Sequence, residues 1–163
     1  SQGHQMYSSG FNNYYRFACA SDFENIGRNI ELLDSVKAPA PQILQTRQTY
    51  RRSSILAKQS IVVANYKCEL YPSHNTFIAK STNHQYMEGH HLLPLSQQHN
   101  FKTSLDVYAN IICLCPICHR LLHFGTDKDR IQAISKLYEN REHRLENSGI
   151  KITKNDAIEL AMS

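Results

Sequence analysis

Apolar positions along this chain of 163 residues recur first at helical intervals, then at strand intervals, then at helical intervals again. Residues 1 to about 20 are rich in Ser, Asn, Gly and Tyr and show no period. From Ser21 the order S-D-F-E has the spacing of a capping box. Phe23, Ile26, Ile30 and Leu33 then recur as one helix face would require. The prolines of KAPAPQ end that helix and mark the best boundary, which sets residues 1–50 apart as an accessory helical segment. A second helix begins at Ser53 or Ser54 (ILAKQSIVVANY), with Leu56, Ile61 and Ala64 on one side, and leads directly to Cys68. HQYMEGHHLLPL predicts a strand from Tyr86 to His90 and a loop at Pro94. SQQHNFKTSLDVY is polar and loop-like, and ANIICLC is a short, β-branched, apolar second strand. PICHRLLHFG predicts a short helix closed by Gly125. A longer helix follows from about Asp127 to Asn147, with Ile131, Ile134, Leu137, Tyr138 and Leu145 inward and Gly149 at its end. Thr153 caps a last helix, KNDAIELAM. The sum is an α+β chain with a strand–loop–strand–helix centre over residues 51–125 and a helical extension over 126–163.

Composition changes this picture little. The chain is 41% hydrophobic and 20% charged, with no apolar run near the roughly eighteen residues that a membrane helix needs. Its start lacks the basic-then-apolar order of a secretory signal, so secretion is not expected. A net charge of +4 suits a polyanion partner and equally an ordinary soluble protein. The arginines of RQTYRRSS fit a solvated linker or contact with phosphate.

Cysteine and histidine usage says more. Five cysteines is an odd number, and Cys68, Cys113, Cys115 and Cys118 share one stretch with seven of the nine histidines. Disulfide frameworks spread their cysteines, whereas a C-x2-C pair beside histidines more often binds metal. The expected compartment is reducing, intracellular and cytoplasmic.

Residues four apart on a helix share a face, so His119 and His123 can hold one ion between them. His90, at the adjoining strand end, can add a third imidazole. Three neutral nitrogens leave positions open for water and substrate, as in a catalytic metal site. The competing reading makes His119 a surface residue and His123 a capping one. His91 must point away from His90, and a neutral imidazole there can accept a proton from water at neutral pH. Asn110 would accept the other N–H of that ring and fix its tautomer, or else simply serve a turn.

Cys115 and Cys118 form a separate half-site for zinc. The upstream half offers Cys68, with Tyr71 where a second cysteine would stand, and His74 is the nearest replacement. The expected structural zinc set is therefore Cys68, His74, Cys115 and Cys118. His84 or Cys113 as fourth ligand, or no zinc at all, are the alternatives, and Cys113 reads best as a small buried hydrophobe.

EGHHLLPLS followed by LDVYANIICLCPICHRLLHFG resembles the HNH endonucleases, whose ββα-metal motif is named for His, Asn and His. The resemblance spans about Cys68 to Gly125, roughly a third of the chain. It implies that His91 is the general base, Asn110 the orienting asparagine and His119 the metal-binding third letter. His90 then takes the strand-end ligand position, and His123 matches the extra ligand of colicin-type members. The cysteines are similar to those of a zinc-containing, restriction-type subset, from which the missing cysteine at Tyr71 departs.

The activity so implied is hydrolysis of DNA phosphodiester bonds in a restriction or defence setting. A catalytic Mg2+ or Mn2+ would neutralise charge at the phosphate and departing oxygen, and a structural Zn2+ would tie the fold. Lys102, Arg120, Lys128 and Arg130 would grip the DNA backbone. Specificity would come from residues 1–60, from the long helix after Asp127 or from a larger parent protein, and a homodimer would serve to cut both strands. The rival readings are a zinc-stabilised nucleic-acid-binding module without catalysis, and a zinc hydrolase of small esters. The first leaves the four histidines idle. The second lacks a His-Glu-x2-His motif, although Glu88 is close in sequence.

Overall fold

A computed structural model of the chain describes residues 52–163, and the helix expected from Ser21 lies outside them. The centre is a two-stranded antiparallel sheet of β1 (Glu88–His91) and β2 (Ile111–Leu114). All four residues of β2 are buried, so the strand is covered on both faces. This accounts for an apolar run where an exposed sheet would show alternation. The register pairs Glu88 with Leu114, Gly89 with Cys113, His90 with Ile112 and His91 with Ile111. Side chains alternate along a strand, so Glu88 and His90 share one face while Gly89 and His91 share the other.

Helix α1 (Ser54–Val63) begins as expected, with the Ser53 side chain accepting the Leu56 N–H at 3.3 Å. It ends at Val63, short of the expected Tyr66, because Asn65 and Tyr66 both adopt positive φ and turn the chain toward Cys68. It lies close on the sheet: a Cβ built on Gly89 would stand 3.0 Å from the Cβ of Ala57. Small residues at this crossing set the helix–sheet spacing. Ile61 and Ala64 pack on the core, as their spacing predicted.

Helix α2 (Pro116–Phe124) follows β2 at once, with Cys115 as N-cap and Pro116 in the first turn. Gly125 does close it, but not through a left-handed conformation, since its φ is −66°. A Cβ there would meet the Leu121 carbonyl oxygen at 2.7 Å, and lack of room is the reason for glycine.

The long helix expected over Asp127–Asn147 is instead two, α3 (Asp127–Glu139) and α4 (Glu142–Asn147). The break falls at Arg141, only 3% exposed, whose guanidinium turns inward to a bidentate pair with Glu69. Arg141 also donates to the carbonyls of Tyr108 and Ala109. Ile134, Leu137, Tyr138 and Leu145 are buried as expected, whereas Ile131 is on the surface. Gly149 follows α4 at a φ of 78°. Helix α5 (Lys154–Met162) is capped by Thr153, whose side chain accepts the Asp156 N–H. The segment taken as plain loop carries a 3-10 turn at Leu95–Asn100, and a second at Tyr108–Asn110 occupies Ala109 and Asn110, where the second strand was expected to begin.

Among the described residues no helix is long and apolar enough to cross a membrane.

Candidate metal centre and base

Two separate groups of metal-ligating side chains converge on α2. The first is His90, His119 and His123, whose ligand atoms all lie within 4.8 Å of one another. His90 comes from the end of β1, on the face that carries Glu88. His119 and His123 come from successive turns of α2, and their Nε2 atoms are 3.2 Å apart. Two imidazole nitrogens sharing one tetrahedral ion at its usual bond length lie ~3.4 Å apart, so the pair has the spacing of ligands to one ion.

Glu88 supplies what the sequence reading left unassigned. Its Oε2 accepts a short hydrogen bond from Nδ1 of His119. A carboxylate can only accept, so the hydrogen is on Nδ1 and the lone pair of Nε2 is directed toward His123. Carboxylate–histidine pairs of this kind orient metal ligands and raise their basicity. The contact with His119 holds Glu88 below the ordinary carboxylate range, against the opposing effect of its partial burial. The signal was present in the period of two that puts Glu88 on the face of His90.

Two of these imidazoles, His90 and His123, are held neutral. Burial lowers the pKa of His90 well below the ordinary value, and the neighbouring His119 and His123 push the same way. Burial and then His119 bring His123 down to about 4. Arg52, beside the first turn of α1, adds to the depression at His90, His91 and His123. A half-buried cluster in which His90 and His123 disfavour protons, and which offers three imidazole nitrogens, suits a cation.

His91 sits on the opposite face of β1, and its ring is not held by Asn110. Nε2 of His91 is 2.8 Å from Oδ1 of Asp106. Asn110, fully buried, spends its side chain elsewhere: its Oδ1 accepts the Leu93 N–H, and its amide donates to the carbonyls of Leu93 and Leu105. The asparagine thus ties the two ends of the loop that leaves β1 and returns to β2, and reaches His91 only through that loop. Its three backbone partners show why an asparagine stands there, since only an amide offers both donor and acceptor at one tip. Burial depresses His91, while the hydrogen bond and charge of Asp106 oppose that effect.

The second group is Cys68, His74, Cys115 and Cys118. Nδ1 of His74 is 3.4 Å from Sγ of Cys115 and 3.3 Å from Sγ of Cys118, and the Cys118 N–H points at the Cys115 sulfur at 3.4 Å. All three cysteines are buried. Three thiols and an imidazole converging in this way fit a structural zinc. The ring of Tyr71, at the position of the missing cysteine, packs on His74 with centroids 5.1 Å apart. The alternative ligands do not join. His84 stacks on Tyr66 at 4.1 Å, and Cys113 lies in the core with its thiol pushed up to about 12 by burial.

Of the basic residues expected to meet DNA, Lys102, Arg120 and Lys128 are exposed. Arg130 is not available. Its guanidinium donates to the carbonyls of Leu122 and Ala161, a staple joining α2, α3 and α5.

No curated protein matches the sequence of this chain. The family described as HNH endonuclease does match over residues 76–125, the span of β1, the connecting loop, β2 and α2, so this part of the chain is an HNH domain.

Proposed function

We propose that the chain is a metal-dependent DNA endonuclease in which His91 is the general base. The observation that carries this reading is the pairing of a three-imidazole cluster with a fourth histidine held apart from it by its own carboxylate. A binding module needs no such division between ligands and base.

In the proposed reaction His91 Nδ1 accepts a proton from water as the water oxygen bonds to phosphorus and the bond to the 3′ oxygen breaks. The products are 5′-phosphate and 3′-hydroxyl ends, the latter protonated from solvent. An ion held by His90, His119 and His123 would supply Lewis-acid stabilisation of the charge that develops on the phosphate. We assign that ion as Mg2+ or Mn2+, of which an imidazole set favours Mn2+. Arg52, whose charge is felt at three of the four imidazoles, is placed to attract the phosphate, and Lys102, Arg120 and Lys128 to hold the flanking backbone. The Cys68, His74, Cys115 and Cys118 set would bind Zn2+ and join the chain after α1 to the start of α2. A restriction or defence role rests on the resemblance of that cysteine set alone.

The test is nicking and linearisation of supercoiled plasmid, methylated and unmethylated, after chelation and return of Mg2+ or Mn2+. Metal-restored cleavage by the native chain and none by His91→Ala is expected. Equal cleavage by both removes the base assignment. Metal-independent DNA binding without cleavage by either would favour the zinc-stabilised binding module.

A further inference from the structure

We propose that Asp106 is the positioning residue of the base: its carboxylate, seated between His91 and the first turn of α1, fixes the imidazole with Nδ1 turned to the reacting water. The inference deepens the reading above and rests on it.

The geometry uses both oxygens of the carboxylate. Oδ1 is 2.8 Å from His91 Nε2, and Oδ2 is 2.7 Å from the backbone N–H of Ser53, the N-cap of α1. The backbone N–H of Asp106 is itself held by the Ser104 hydroxyl at 3.1 Å. The His91 and Asp106 side chains are 12% and 18% exposed, so water competes little for the bond. Because an ionised carboxylate only accepts, the hydrogen of His91 resides on Nε2 and the lone pair on Nδ1. The helix N-terminus holds Oδ2 and so keeps Oδ1 from swinging away. When His91 takes the proton from water, the same carboxylate faces the imidazolium and stabilises it. The asparagine of the motif cannot do this, since its donor and acceptor are committed to Leu93 and Leu105.

The experiment compares full-length native protein with His91→Ala, Asp106→Ala, Asp106→Asn and the His91→Ala/Asp106→Ala double variant. It reads kcat and KM for plasmid nicking, Mn2+ affinity and Tm. Removing a partner of this kind is expected to lower kcat by ~10–100-fold, with KM and Mn2+ affinity near native. Asp106→Asn should lose about as much kcat as Asp106→Ala, because its one amide oxygen cannot accept from both Nε2 of His91 and the Ser53 N–H. The double variant should be no slower than His91→Ala, since Asp106 acts only through that ring. Losses that add in the double variant, or a fall in Mn2+ affinity alongside kcat, would make Asp106 a merely structural residue and overturn the proposal. Native kcat in Asp106→Ala with His91→Ala inactive overturns it alone. Native rates in His91→Ala overturn it together with the base assignment. Should Asp106→Ala fail to fold, Asp106→Asn takes its place in the cycle, and native kcat in a folded Asp106→Asn with His91→Ala inactive overturns the proposal.

Discussion

His119 and His123, one turn apart on α2, bring their Nε2 atoms to 3.2 Å, and Glu88 fixes the hydrogen of His119 on the far nitrogen. Two lone pairs so placed repel unless a cation or proton lies between them. Replacing either histidine by alanine should therefore abolish high-affinity Mn2+ binding, while Glu88→Gln should weaken it by ~10–100-fold by loosening the His119 ring. Calorimetric titration of the chelated protein measures both. Native affinity in Glu88→Gln would reduce the carboxylate to a bystander.

The cysteine set predicts a different dependence. Burial and the adjacent thiols hold the Cys118 proton on, so zinc must displace it and binding should release protons. Heats of zinc binding should then vary with buffer ionisation enthalpy. Cys118→Ser or exhaustive chelation should remove several kcal/mol, a large share of the stability of a domain this size. Full zinc stoichiometry in Cys118→Ser by elemental analysis would sink the assignment.

Arg141 and Glu69 make the most buried ion pair among the described residues, and Glu69 also accepts the Cys113 N–H at 2.8 Å. Arg141→Met removes the guanidinium donors of a carboxylate and two carbonyls next to Cys68. We expect a loss of ~3–5 kcal/mol in urea unfolding, partly recovered by Arg141→Met/Glu69→Leu. A loss under ~1 kcal/mol would show that water takes over the role of the guanidinium.

Acid should destabilise the metal-free protein. In the folded chain His123 stays neutral down to about 4, whereas unfolded histidine takes up a proton near 6.5. Between those values the unfolded state binds more protons, so stability falls as pH is lowered through that window. His90 acts in the same direction, and Glu88, held low by His119, continues it at more acid pH. Tm in chelator should decline from pH 7 to pH 4.5. A flat or rising Tm would contradict the neutral state of His90 and His123.

Much of the candidate site was legible in the sequence because the spacing of side chains that could hold one ion is local. His119 and His123 are one helical turn apart, His90 and His91 are adjacent, and Cys115 and Cys118 straddle a helix start. Each relation holds once the element forms, whatever packs around it. Helix starts at Ser53 and Thr153 were legible for the same reason, since a cap bonds within three residues of itself.

Tertiary structure decided the partners. Asp106 reaches His91, rather than Asn110, because the loop between the strands folds back onto the first turn of α1, and no periodicity encodes that path. Arg141 breaks a helix that its own sequence would continue, because a guanidinium bonded to Glu69, Tyr108 and Ala109 outweighs a few residues of helical propensity. Glu88 and Arg130 carry the same lesson in opposite senses, one drawn into the site and the other withdrawn to staple three helices. The sequence by itself determined which side chains can bind metal and accept a proton, because those properties follow from residue type and short spacing. Only the fold decided which charges orient them, because such bonds close over long stretches of chain and depend on where the backbone comes to rest.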